Sequence, residues 1–126
     1  MNPVFRSLLL ALLMVTQALA LPTADQDGVR LDDLLERGFT HSAPLSIAEI
    51  EQKSLEELKV DSSRVPQLPF GFANGDWEEF KAQVKPGDEI LRVCSSPDSW
   101  ASLAGWEGLV LVRDGIIIAS ITETIS

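Results

Sequence analysis

The chain has 126 residues, 45% of them hydrophobic, with 19 acidic against 10 basic side chains and a net charge of −9. That length and apolar share suit one small globular domain. A pI near 4.4 argues against nucleic acid, whose phosphates need clustered Lys or Arg, and against docking on anionic lipid.

In chain order, Arg6 precedes a short apolar run, Ser7 to Val15, and the small-x-small triplet Ala18-Leu19-Ala20. These three parts in this order predict a secretory signal peptide over 1–20 with cleavage after Ala20. The alternative is an uncleaved anchor. The run is about nine residues, against roughly 20 for a spanning helix. The expected location is therefore exported, periplasmic or secreted, with no integral membrane segment after cleavage. Cys94 is the only cysteine, so an intramolecular disulfide is impossible. The thiol is either buried as a small hydrophobe or exposed to an intermolecular disulfide.

Residues 21–65 are expected to form an N-terminal helical segment, and residues 66–126 a compact α+β unit, the two making one domain over 21–126. Leu21 to Gly28 is polar. Leu31, Leu34 and Leu35 share one helical face within Val29 to Arg37, and Gly38 is a natural stop. Phe39 to Pro44 suits a loop. Ser46-Ile47-Ala48-Glu49 is a capping box opening a helix to about Lys59, with Ile47, Ile50, Leu55 and Leu58 as its apolar face. From Asp61 to Gly75, prolines and glycines predict an extended connector, pinned to the core by Phe70 and Phe72. Asp76 is placed to cap a further helix carrying Trp77, Phe80 and Val84 inward, ended by Pro86-Gly87.

Glu89 to Cys94 is a predicted strand. Ser96-Pro97 starts a short helix through Trp100, Leu103 and Ala104, stopped by Gly105. Leu109 to Arg113 and Ile116 to Thr122 are strand-like, and Asp114-Gly115 between them is the favoured pair of a type I′ hairpin turn. The unbroken run Leu109 to Val112 implies a strand covered on both faces. The expectation is an α+β fold: a small sheet of about three strands with a C-terminal β-hairpin, packed by short helices. The Ser95 to Gly108 connection leaves the first strand free to pair parallel or antiparallel.

The stretch from Trp77 to Ile121 resembles a family of small uncharacterised bacterial proteins. The residues that carry the resemblance are Gly87-Asp88-Glu89-Ile90, Cys94-Ser95-Ser96-Pro97, Ser99-Trp100, Leu103-Ala104-Gly105, Gly108 and Val112-Arg113-Asp114-Gly115. Leu91 stands where that family carries tryptophan, and Trp106 where it carries arginine. The resemblance implies a bacterial origin and a compact C-terminal unit; it brings no reaction, ligand or site residue.

Chemistry-bearing constellations are few. Cys94 and His41 are the one thiol and the one imidazole; a nucleophilic pair would need them within hydrogen-bond reach, and they lie in different halves. Cys94 ends a strand just before a helix start, a setting in which reactive thiols occur, so it is a candidate catalytic residue set against a structural role. Asp25-Gln26-Asp27-Gly28 followed by Asp32-Asp33 resembles a calcium loop, but with Gly28 at the sixth position Leu34 falls where the bidentate carboxylate belongs. A solvated acidic lead-in remains, and no metal or cofactor is expected. The adjacent pairs Asp32-Asp33, Glu56-Glu57, Glu78-Glu79 and Asp88-Glu89 do not face one another on a helix. No phosphate-binding glycine motif and no nucleophile elbow occurs. Trp77 and Trp100 suit core positions. Trp106, between Gly105 and Glu107-Gly108, suits a half-exposed turn and is the candidate binding anchor, with edge-of-core packing as the alternative. The resulting expectation is a non-catalytic binding or interaction module for a protein or small-molecule partner, with a Cys94-dependent thiol or redox enzyme as its rival.

Overall fold

The computed structural model describes residues 28–126. The signal-peptide reading of residues 1–20 and the acidic pair Asp25 and Asp27 lie outside them. Among the described residues, the chain runs β1 (Val29–Arg30), α1 (Leu31–Glu36), β2 (Thr40–His41), α2 (Ile47–Leu58), α3 (Asn74–Ala82), β3 (Glu89–Cys94), α4 (Pro97–Ala101), β4 (Trp106–Arg113) and β5 (Ile116–Ile125). All strand pairs are antiparallel, in the order β1-β5-β4-β3-β2.

The hairpin β4–β5 organises the sheet. Asp114 and Gly115 take φ of 54° and 78°, as a type I′ turn requires, and Arg113 stands opposite Ile116. Glycine meets that requirement without a Cβ clash and aspartate tolerates it. Because successive side chains alternate between faces, β4 feeds two cores. Leu109 and Leu111 join Ile90, Ile50, Trp77, Phe80 and Ile121 under α2 and α3. Val110 and Val112 join Leu91, Val93, Leu34, Phe39 and Trp106 under α1. The unbroken apolar run therefore sits in a strand covered on both faces.

The helices follow local signals where these exist. Ser46 and Glu49 form the reciprocal capping box: the Ser46 amide donates to Glu49 Oε1 at 2.8 Å and the Glu49 amide to Ser46 Oγ at 3.0 Å. Ser96 caps α4, with Pro97 at its first position. Glu51 ties α2 to α3, accepting from Trp77 Nε1 at 2.7 Å and Lys81 Nζ at 2.8 Å. Those bonds, the Lys81 one foremost, hold its carboxyl below the usual range.

Several expectations are corrected. The α+β class stands, but the sheet has five strands rather than about three. The additions, β1 and β2, are two residues each, too short to display alternation, and exist through pairing with β5 and β3. β2 replaces part of the expected loop at Phe39 to Pro44, with Phe39 buried. β3 pairs antiparallel with β4, which settles the direction. The connector is not extended at its end: Gly71–Ala73 is a 3-10 turn leading into α3 at Asn74, whose cap position Ala73 makes no side-chain bond, so Asp76 is inside the helix. Phe70 stacks on Trp77 with ring centroids 5.0 Å apart, but Phe72 is 79% exposed and pins nothing. α4 stops at Ala101, with Leu103 rather than glycine in the left-handed region at φ 60°. Gly105 instead admits the half-buried Trp100 ring, which a Cβ there would strike.

Candidate functional site

Trp106 is 3% exposed and opens β4. Its ring lies over Gly108, where a Cβ would strike it, and its Nε1 donates to Thr122 Oγ1 at 2.9 Å. Its amide donates to Ser95 Oγ at 2.9 Å. Trp106 is therefore not in a half-exposed turn, and of the two expected readings edge-of-core packing is the one its burial fits. A signal existed: Trp-x-Gly on a strand places ring and glycine on one face, two positions apart.

Cys94 and His41 are brought closer than their sequence positions suggest. Thr40 stands opposite Cys94 and His41 opposite Val93 in the β2–β3 ladder. Opposed residues share a face and successive residues alternate, so the imidazole and the thiol project from opposite faces. His41 is exposed, and its Nδ1–H donates to the Ser42 carbonyl at 2.6 Å. The half-buried Cys94 thiol accepts from Trp100 Nε1 at 3.3 Å. The register builds no Cys–His dyad. Among the described residues, no group of three His, Cys, Asp or Glu side chains is arranged to hold a metal.

The arrangement with the greatest binding capacity lies at the other side of the sheet. β5 is ten residues long, yet its outer side pairs with β1 only at Ile116 and Ile117. From Ile118 to Ile125 the outward backbone groups have no backbone partner among the described residues apart from those facing β4. Natural sheet edges are usually blunted by Lys, Pro, inward charges or bulges. β5 holds no Lys, Arg or Pro. Its one charge, Glu123, is engaged by Arg92, which donates to it at 2.8 and 3.1 Å. Two irregularities in the β4–β5 ladder leave Ala119 to Ile121 as a regular stretch, with Thr122 at its end.

α3 lies alongside this stretch. Trp77 and Phe80 point into the core, which turns Asp76, Glu79 and Gln83 outward. A groove of about 310 Å³ runs between α3 and β5, with Phe80 in its lining, Asp76, Glu79 and Gln83 on one wall and Ala119 to Thr122 on the other. None of the ion pairs among the described residues involves Asp76 or Glu79. Lys81, the helix's only cation, is engaged by Glu51 and Glu78. The groove wall thus carries two carboxylates, Asp76 and Glu79, without an ion-pair partner among the described residues, while Arg113 reaches its end by donating to the Gln83 carbonyl at 3.1 Å. Neither edge nor groove was foreseen from the sequence, because an open edge is defined by pairing that does not occur.

Comparison with protein-family models, curated proteins and solved structures gives no match to this chain.

Proposed function

We propose that this protein is a small exported bacterial interaction module without catalysis of its own, which engages a partner protein along the open edge of β5. The single observation that carries the reading is that, among the described residues, β5 has no strand partner beyond Ile117 on its side away from β4, beside the α3 groove. Edge strands offer ready-made hydrogen-bond partners, and β-strand addition is a common recognition mode. The signal-peptide pattern of residues 1–20 supports export, and the resemblance over Trp77 to Ile121 supports the bacterial origin.

The test is capture from periplasmic extract by the immobilised mature chain and by a Glu79→Lys variant of unchanged circular dichroism. The expected outcome is one partner held by the native chain and lost by the variant. Equal capture by both chains would remove the β5–α3 surface from the reading.

One observation favours a second reading. The Cys94 thiol is half-buried and accepts an indole N–H, so reagent access to it is not closed. In a thiol or redox enzyme Cys94 would be alkylated within minutes in the native protein, whereas a disulfide-linked dimer would show a doubled mass and no adduct, its one thiol being consumed in the bond. Intact mass under non-reducing conditions, with and without alkylating reagent, decides it: an unmodified monomer retires both, while a rapid adduct or a doubled mass favours Cys94.

A further inference from the structure

We infer that the segment bound at β5 is an extended, basic stretch of the partner, with Lys or Arg at alternate positions, added to the sheet as a strand. The inference rests on the interaction-module reading and names its partner class.

The backbone half of the recognition is the open edge. Ala119 to Thr122 pairs with β4 in unbroken register, between the two irregularities of the β4–β5 pairing. β1 already pairs antiparallel at Ile116 and Ile117, so this side of β5 is one that accepts an antiparallel strand. The contact is short, which suits micromolar rather than tight binding.

The side-chain half is the α3 groove. Every second side chain of an added strand would lie on the α3 face. Those side chains meet Asp76, Glu79 and Gln83. Asp76 and Glu79 are one helical turn apart, roughly 5–6 Å between their Cβ atoms. Alternate side chains on a strand are about 6.5–7 Å apart, close enough for two long cations to meet two carboxylates. The α3 cation cannot compensate the wall, because Lys81 is held by Glu51 and Glu78.

The same charges discriminate against a second copy. β5 contains no cation and one carboxylate. Pairing two β5 edges would bring two acidic α3 walls together in chains of net charge −9, and like charges disfavour wrong partners.

The probes are four synthetic heptapeptides: alternating valine and lysine, alternating valine and glutamate, and the lysine peptide N-methylated at alternate residues in either of its two phases. Binding to the full mature chain is measured by calorimetry, and amide exchange locates it. The lysine peptide should bind at least about tenfold more tightly than the glutamate one and protect amides of residues 118–124. One N-methylated phase should lose binding, since it blocks the pairing edge. The paired change Asp76→Asn and Glu79→Gln should weaken the lysine peptide about three- to tenfold, and raising salt should erase much of that difference. If lysine and glutamate peptides bind alike and both protect β5, the basic partner is overturned and the interaction module stands. If no peptide binds and β5 stays unprotected, both readings fall. If the chain instead dimerises through β5 at micromolar concentration, a second copy is the occupant and the inference is overturned.

Discussion

Asp88 gathers three hydrogen bonds on one buried carboxylate. Its side chain is 1% exposed, accepts from Arg113 Nε and Nη2 at 2.8 Å each, and accepts the Lys85 amide at 2.8 Å. The Arg113 guanidinium is the main cause of a carboxyl lowered to about 2, with the Lys85 amide adding to it against the cost of burial. A lowered carboxylate stabilises the fold above its unfolded value near 3.8 and loses that contribution as pH falls toward about 2. Because Arg113 remains 31% exposed, solvent screening reduces the effect to about 1–2 kcal/mol. Asp88→Asn should lower stability by that amount at neutral pH and flatten the acid limb between pH 4 and 2, measured by urea unfolding across pH; an unchanged limb would show that the pair contributes nothing. Gly108 is the second residue whose identity is fixed by its surroundings. A Cβ there would strike the Ile121 carbonyl and the Trp106 ring, and backbone cannot yield as a flexible side chain does. Gly108→Ala should cost about 1–3 kcal/mol, read from the same unfolding midpoint.

At the scale of elements, what could be read from the sequence was what a few consecutive residues determine. Ser46 with Glu49 and Ser96 with Pro97 fix helix starts through bonds spanning three residues, and Asp114-Gly115 fixes the hairpin. Ser46→Ala should therefore destabilise by about 1 kcal/mol, visible as a lower thermal midpoint with α2 amides exchanging faster. If α2 exchange is untouched, the cap is not what holds that helix end. Elements that depend on distant partners were not legible. Thr40–His41 is a strand because Cys94 and Val93 lie opposite, and Val29–Arg30 because Ile117 and Ile116 do. Phe70 and Phe72 have the same chemistry two positions apart, yet one stacks on Trp77 and the other is exposed; the 3-10 turn at Gly71–Ala73 decides between them. The binding edge belongs to the same class of information. β5 itself was expected as a strand to Thr122, but its standing as an edge depends on how short β1 is.

Across the whole molecule, the open edge and the acidic charge act on each other. An edge rich in β-branched residues and holding no Lys, Arg or Pro is an association hazard, and at neutral pH a net charge of −9 opposes the approach of two copies. Carboxylates take up protons as pH falls, so the net charge shrinks toward zero at the pI of about 4.4 and then becomes positive. Repulsion is weakest there, while Asp88, lowered to about 2, stays ionised and the fold is still held. Association should therefore peak near pH 4.4 with native circular dichroism and decline again on further acidification, until acid unfolding begins. Light scattering against pH measures this directly. Thr124→Lys puts a cation on an exposed position of β5 and should suppress the peak, because lysine on an edge is one of the devices that natural sheets use against pairing. It also raises the pI slightly, so the variant is compared at its own scattering maximum rather than at one fixed pH. A peak that survives Thr124→Lys undiminished would place the self-association elsewhere, for which the exposed Phe72 and Leu68 are the next surface to alter.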